Sequence, residues 1–424
     1  MGSGSPQRDE APSRLARHLG VADAVVIGLG SMIGAGVFAA FAPAAEAAGA
    51  GLLLGLAVAG AVALCNAVSS ARLAAVYPQS GGTYVYGRER LGPFFGYLAG
   101  FGFVVGKIAS LTAMALTFGL YALPAHARPL GIAAVAALTA VNLLGVTKTA
   151  GLTRAIVAGV VATLVFVVAA SLLAGEPDSA RLGPLWPDRG LHGVLASAGF
   201  LFFAFAGYAR IATLGEEVRD PERTIPRAIV AALAITLALY AAVAASVLLV
   251  LGADGVAEAA APLARAVEES SAGGLTPVVR AGAALAALGV ILSLLAGVSR
   301  TVFAMAAAGD LPRRLAAVHK TRKVPHLAEL AVGAAVVAVV SLADLRSAIG
   351  FSSVTVLAYY AIANAAAFTL PSGRRARIVP VLGFAGCCTI ALALPLGTVV
   401  AGVGVLAGGA AVYALRGRPR RRSH

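Results

Sequence analysis

The chain has 424 residues, of which 59% are hydrophobic and only 12% charged. Its mean hydropathy is +0.88. A soluble domain carries roughly a quarter charged residues, so a water-covered globular fold is excluded and the apolar surface must meet lipid. The net charge of +14 belongs to membrane topology and not to nucleic acid, as the positions of the arginines and lysines show.

Residues 1–20 form a polar tail with Arg8, Arg14 and Arg17, followed by no small-residue cleavage site, so no cleavable signal peptide is read there. A membrane-crossing helix needs about 20 apolar residues. Such runs recur: Ala24 to Ala45, Ala47 to Ala71, Pro93 to Leu120 (interrupted once, by Lys107), Pro129 to Thr147, Ala155 to Gly175 and Gly190 to Ala209. They continue with Ala228 to Ala253, Ala281 to Ser299, a shorter run from Leu327 to Ala343, and Ser347 to Leu370. The last, Ile378 to Leu415, is too long for one helix and is split at Pro395-Leu396-Gly397. Twelve transmembrane helices are therefore predicted in an all-α polytopic membrane protein. The abundance of Ala and Gly suits close helix packing in lipid.

With a cytoplasmic N-terminus, twelve spans return the C-terminus to the same side. The cytoplasmic segments then hold 26 of the 33 lysines and arginines and the outer segments six, with Lys107 inside the third span. That bias follows the positive-inside rule and predicts a multi-pass protein of the cell (inner) membrane with both termini cytoplasmic. Contact with anionic lipid accounts for the basic tail, residues 416–424.

Two spans do not read as continuous helix. The first contains Gly28-Leu29-Gly30-Ser31-Met32-Ile33-Gly34-Ala35-Gly36-Val37-Phe38. Each of its four glycines weakens a helix by roughly 1 kcal/mol relative to Ala. Irregular backbone at membrane depth is tolerated only in a cavity wall or buried in protein. Amides freed there can bind an anionic group, helped by the positive end of the following half-helix. Close helix packing is the other use of such glycines. A dinucleotide-binding loop is excluded, because that motif needs a strand before it. The sixth span carries Phe202-Phe203-Ala204-Phe205-Ala206-Gly207-Tyr208-Ala209-Arg210-Ile211. It lies five spans later and so has opposite topology. Broken helices at matching positions of two inverted halves point to a transporter site near the bilayer midplane.

At these residues the chain resembles the amino acid–polyamine–organocation superfamily. The resemblance is carried by the first-span glycines, by Pro78-Gln79-Ser80-Gly81-Gly82-Thr83-Tyr84, and by the sixth-span motif running into Gly215-Glu216-Glu217-Val218-Arg219-Asp220-Pro221. Ser299-Arg300 with Gly309-Asp310-Leu311-Pro312 completes it. The resemblance implies a five-plus-five inverted repeat of the leucine-transporter type, with repeats at 21–175 and 190–370 and two further helices at 376–415. It implies amino acid transport by alternating access. Ser31, Met32, Ile33, Gly34, Ala35 and Gly36 are then expected around the substrate carboxylate. Phe203, Ala204, Phe205, Ala206 and Gly207 are expected around its amino group and side chain.

Lys107 lies midway along the third span, a functional candidate by position. It is assigned to coupling with a proton or sodium gradient, with a structural lysine bonded to carbonyls as the other reading. Proton-coupled members of the superfamily carry a lysine on the fifth span, where this chain has Ala158-Gly159-Val160-Val161-Ala162. Arg210, Glu216 and Glu217 are candidates for a cytoplasmic gate, or for an interfacial ion network. Residues Ala261 to Ser270 read as an external loop helix. Cys65, Cys387 and Cys388 lie in apolar runs and read as core residues. No cofactor, metal cluster, nucleophile triad or phosphate loop is read, so the expectation is a transporter and not an enzyme. The absence of a mid-membrane carboxylate points toward neutral amino acids. A carrier of polyamines or other organic cations, or a non-transporting amino-acid sensor, is the alternative. Oligomeric state is left open.

Overall fold

The computed structural model describes residues 20–77, 81–145, 150–208, 211, 218–371 and 373–415, with the side chains of Ala150, Pro221 and Glu222 excepted. Among these residues the architecture is all-helical. The helices are α1 (Val21–Met32), α2 (Gly36–Ala48), α3 (Leu52–Val76), α4 (Thr83–Leu91), α5 (Pro93–Ala122), α6 (Ala127–Leu143), α7 (Ala150–Leu173) and α8 (Gly190–Phe205). Then follow α9 (Pro221–Glu258), α10 (Pro262–Glu268), α11 (Thr276–Ala307), α12 (His326–Leu342), α13 (Leu345–Phe368), α14 (Ile378–Leu392) and α15 (Leu396–Leu415).

Eight helical stretches among the described residues are long and apolar enough to cross a membrane, and α1, α8 and α12 are shorter apolar helices. The apolar runs read from the sequence fall on these elements except Pro129 to Thr147, which falls on α6, a helix in neither set. The first divides into α1 and α2, because the helix stops at Met32 and restarts at Gly36. The last divides into α14 and α15 around Pro395, whose missing amide and fixed φ end a helix. The predicted loop helix is α10. α9 is longer than the predicted seventh span and bends at Gly252, whose φ is 69°.

Burial separates an inner set of helices from an outer one. The most apolar stretch of α13 is 72% buried inside the molecule, whereas those of α14 and α15 are 22% and 11% buried. The last two helices therefore offer most of their surface to lipid. α13 packs along α5, which also packs along α11. α2 and α3 pack against α8, and α1 and α2 against α9. These contacts bring the two interrupted regions together. The interior layer is dominated by Ala, Val and Leu with buried Tyr97, Tyr121, Tyr208, Tyr240 and Tyr360.

Candidate functional site

The first interruption is short and fully enclosed. The Ile33 amide closes the last turn of α1 on the Leu29 carbonyl at 2.6 Å, and the Gly34 amide turns back to the Met32 carbonyl at 2.8 Å. Ile33, Gly34 and Ala35 leave the helix, and α2 begins at Gly36. A helix that ends and restarts exposes its last carbonyls and its first amides. Ser31 and Met32 lie within the final turn of α1, not in the break. The Ser31 hydroxyl is spent on the Ile27 carbonyl at 2.9 Å. This half of the site therefore presents backbone, as its glycines require.

The second interruption begins where α8 stops at Phe205. Phe203, Ala204 and Phe205 are helical, and Ala206, Gly207 and Tyr208 form a turn in which the Tyr208 amide bonds the Phe205 carbonyl at 3.3 Å. The gate candidates Arg210, Glu216 and Glu217 lie outside the described residues.

The two interruptions meet. A Cβ on Gly36 would stand 2.9 Å from the Ala204 Cα, so α2 starts against the backbone of α8. A Cβ on Gly207 would stand 2.8 Å from the Met32 amide nitrogen and collide with the Ser31 carbonyl. Both positions need glycine for close approach. Above the first break, Val290 of α11 covers Gly34. The Tyr240 hydroxyl of α9 lies between the two chain breaks, 2.7 Å from the Met32 carbonyl and 3.3 Å from that of Ala204. One side chain thus ties the end of α1 to the last turn of α8.

Aromatic rings pack around this junction. The Phe205 ring stands 5.4 Å from that of Tyr240, and Phe202 5.9 Å from Tyr360. Phe38 meets Tyr121 edge-on at 5.5 Å, and the Tyr121 hydroxyl donates to the Phe38 carbonyl at 3.0 Å. Phe202 and Phe205 are fully buried, whereas Phe203 keeps 9% of its surface exposed. Among the described residues, no carboxylate lies in either interruption.

Lys107 is buried on α5. Its ammonium sits 5.9 Å from the Phe103 ring centroid, a cation–π distance. None of the ion pairs among the described residues includes it, and no described hydrogen bond ties it to either interruption. It lies on the helix that α13 covers.

Two ion-paired contacts were not singled out from the sequence. The first joins α4 to the segment after α11. The Tyr84 hydroxyl donates to the Asp310 carboxylate at 2.6 Å, and the Arg88 guanidinium reaches the same oxygen at 3.1 Å and the Tyr84 hydroxyl at 2.9 Å. Burial and the Asp310 carboxylate push the Tyr84 phenol above its ordinary pKa, so it stays a donor. The second joins the end of α2 to the start of α13, Glu46 to Arg346. Along α13, Arg346 and Tyr359, whose hydroxyl accepts from the Thr83 amide at 3.1 Å, are separated by thirteen residues, roughly 20 Å. The signal for the first contact was present in two separate motifs, Tyr84 and Asp310. Tyr240 gave no signal beyond a polar tip in an apolar run.

Comparison with known proteins gives a consistent picture. A profile of the amino acid permease family matches residues 23–414. An uncharacterized transporter of Mycobacterium tuberculosis is 61% identical over 409 residues, covering 96% of this chain and 93% of that protein. The branched-chain amino acid permease BcaP of Bacillus subtilis is 26% identical, over 74% of this chain and 72% of that protein. Cationic amino acid transporter 4 of Homo sapiens is 29% identical, over 82% of this chain and 59% of that protein.

Proposed function

Since the chain belongs to the amino acid permease family, we propose that it carries amino acids across the cell membrane by alternating access, with the substrate seated where the two interrupted helices meet. The observation that carries this reading is the convergence of both breaks on Tyr240. The Met32 carbonyl at the end of α1 and the Ala204 carbonyl in the last turn of α8 both reach this one hydroxyl, and α2 starts against the Ala204 backbone. A zwitterion needs that pairing, an anion-binding helix start and cation-accepting helix ends, in one place. The amides at Gly36 and Val37 receive the carboxylate. The carbonyls of α8 around Ala204 receive the ammonium, and Phe203 contacts the side chain.

Twelve crossings arranged as a five-plus-five inverted repeat and two outer helices fit the helix order. In this reading Asp310 with Arg88 and Tyr84 closes one face, and Glu46 with Arg346 closes the other. The lack of a carboxylate in the described interruptions favours neutral substrates, while the relatives include both a branched-chain permease and a cationic amino acid transporter and do not choose between the classes. Lys107 is the proposed coupling group, through a proton or in place of a sodium ion.

Counterflow tests the reading. Purified protein in liposomes preloaded with one unlabelled amino acid is expected to concentrate the same labelled amino acid, neutral aliphatic ones foremost. Preference for arginine, lysine or a polyamine would move the protein to the organic-cation alternative. Saturable binding with no counterflow of any amino acid would make it a sensor.

A further inference from the structure

A cavity of about 380 Å³ opens at the junction of α13 and α14, lined by Phe368, Arg374, Arg377, Ile378, Val381 and Leu382. That volume lies within the range of small-molecule sites, roughly 300–1,000 Å³. Its open lining is almost wholly apolar, from Phe368, Ile378, Val381 and Leu382, with Arg374 and Arg377 on the segment at its rim. Ile378, Val381 and Leu382 are spaced three and four apart, so they share one face of α14. All three are more than half exposed, on a helix that offers most of its surface to lipid.

The rim carries uncompensated charge. Arg72 donates to the Ala376 carbonyl at 2.6 Å, and Arg90 holds Thr369 through its hydroxyl at 2.9 Å and its carbonyl. These two arginines fasten the connecting segment to α3 and α4, and so fix the position of the rim. Arg377 lies 5.4 Å over the Phe368 ring, which leaves the edge of its guanidinium open for hydrogen bonding. None of the ion pairs among the described residues includes Arg72, Arg90, Arg374 or Arg377. Four cations at one corner repel each other unless an anion joins them. A phosphodiester accepts paired N–H donors from arginine, and a polar head above an apolar wall is the division a lipid itself has.

We propose that this cavity is a binding site for an anionic phospholipid, with the phosphate between Arg374 and Arg377 and an acyl chain along Ile378, Val381 and Leu382. The site is separate from the interrupted helices and does not depend on what the protein transports. Basic pockets at helix ends are known receivers of such headgroups. The lipid would bridge α13, one of the most enclosed helices, to α14, one of the least.

The test uses the full-length protein in a neutral detergent, titrated with phosphatidylglycerol, phosphatidylcholine, glycerol 3-phosphate or inorganic phosphate while its melting temperature is followed. Phosphatidylglycerol is expected to raise the melting temperature, and the other three are not. The double variant R374Q/R377Q is expected to need at least about tenfold more phosphatidylglycerol, the loss of one or two charge-assisted bonds. Leu382→Gln, which alters only the wall, is expected to weaken the lipid effect without changing the melting temperature in detergent alone. R313Q/R314Q, on another segment, keeps the wild-type response. The proposal is overturned if R374Q/R377Q responds like wild type, if R313Q/R314Q loses the response equally, or if inorganic phosphate reproduces the lipid effect. If R374Q/R377Q does not fold, Leu382→Gln decides: an unchanged phosphatidylglycerol response in that variant overturns the site.

Discussion

Replacing Tyr240 by Phe removes one oxygen atom and leaves the ring in place against Phe205. The Ala204 carbonyl then loses that donor, whereas the Met32 carbonyl keeps the Gly34 amide at 2.8 Å. A buried carbonyl left without a partner costs about 1–3 kcal/mol. Tyr240→Phe is accordingly expected to fold and to bind substrate roughly tenfold more weakly or worse in an equilibrium titration. Wild-type affinity in that variant would show that the hydroxyl does not set the geometry of the breaks. Gly36 offers the complementary change. A side chain there meets the Ala204 backbone at 2.9 Å, and backbone cannot rotate aside. Gly36→Val should lower the melting temperature by the equivalent of about 1–3 kcal/mol, typical of overpacking, and abolish transport. A variant that retains both would mean α2 and α8 can separate at no cost. The glycines were legible in the sequence because a weak helix is a local property. Tyr240 was not, because its two partners lie 208 and 36 residues away and nothing in an apolar run tells which tyrosine reaches a carbonyl.

Helices in this molecule are joined near their ends by a few polar contacts. Asp310 holds α4 through Tyr84 and Arg88 across 226 and 222 residues of sequence. Arg88 is about one-third exposed, so the pair is not sealed from water and its worth is that of a charged hydrogen bond, about 1.5–3 kcal/mol. Asp310→Asn is expected to lower the melting temperature by that amount and to raise the labelling rate of a cysteine placed at Thr83. Unchanged labelling would remove the contact from the gating scheme. A smaller device starts α13. Asp344 accepts the Ser347 amide at 2.9 Å and the Ser347 hydroxyl at 2.6 Å, a capped helix start. Partial burial works to raise its pKa, but the bonds from Ser347 prevail and hold the carboxyl below its usual value. A depressed carboxylate stabilises the fold above the unfolded pKa, about 4. That support fades as pH falls through the lower folded value. Asp344→Ala should therefore lose about 1 kcal/mol at neutral pH, with the gap to wild type narrowing in acid melts. A gap that widens in acid would reverse the assignment. The capping acid was readable in principle. The Asp310 contact was half readable, since both motifs were recognised while their meeting was not.

Across the whole molecule, the apolar runs located the helices because span length is set by the bilayer and not by partners. The break in the first run was legible for the same reason that Gly is a poor helix former, although Ser31 and Met32 belong to the helix before it. What composition could not supply was which helices lie inside. Lys107 shows the gap: its position marked it as functional, and composition gave no sign that its ammonium stands beside the Phe103 ring. If it couples transport to an ion gradient, Lys107→Ala will lose gradient-driven uptake and keep exchange in liposomes. Gradient-driven uptake at the wild-type rate would return it to a structural role. The unequal enclosure of the helices carries one more consequence. With 11% of its apolar stretch buried in protein, α15 is seated chiefly by its solvent, so its stability is the bilayer's to grant. Stripping lipid should loosen this edge before the centre stirs, and amide exchange should register α15 well ahead of α13. The molecule has a firm heart and a negotiable rim, and the choice of detergent will decide how much of the rim survives purification.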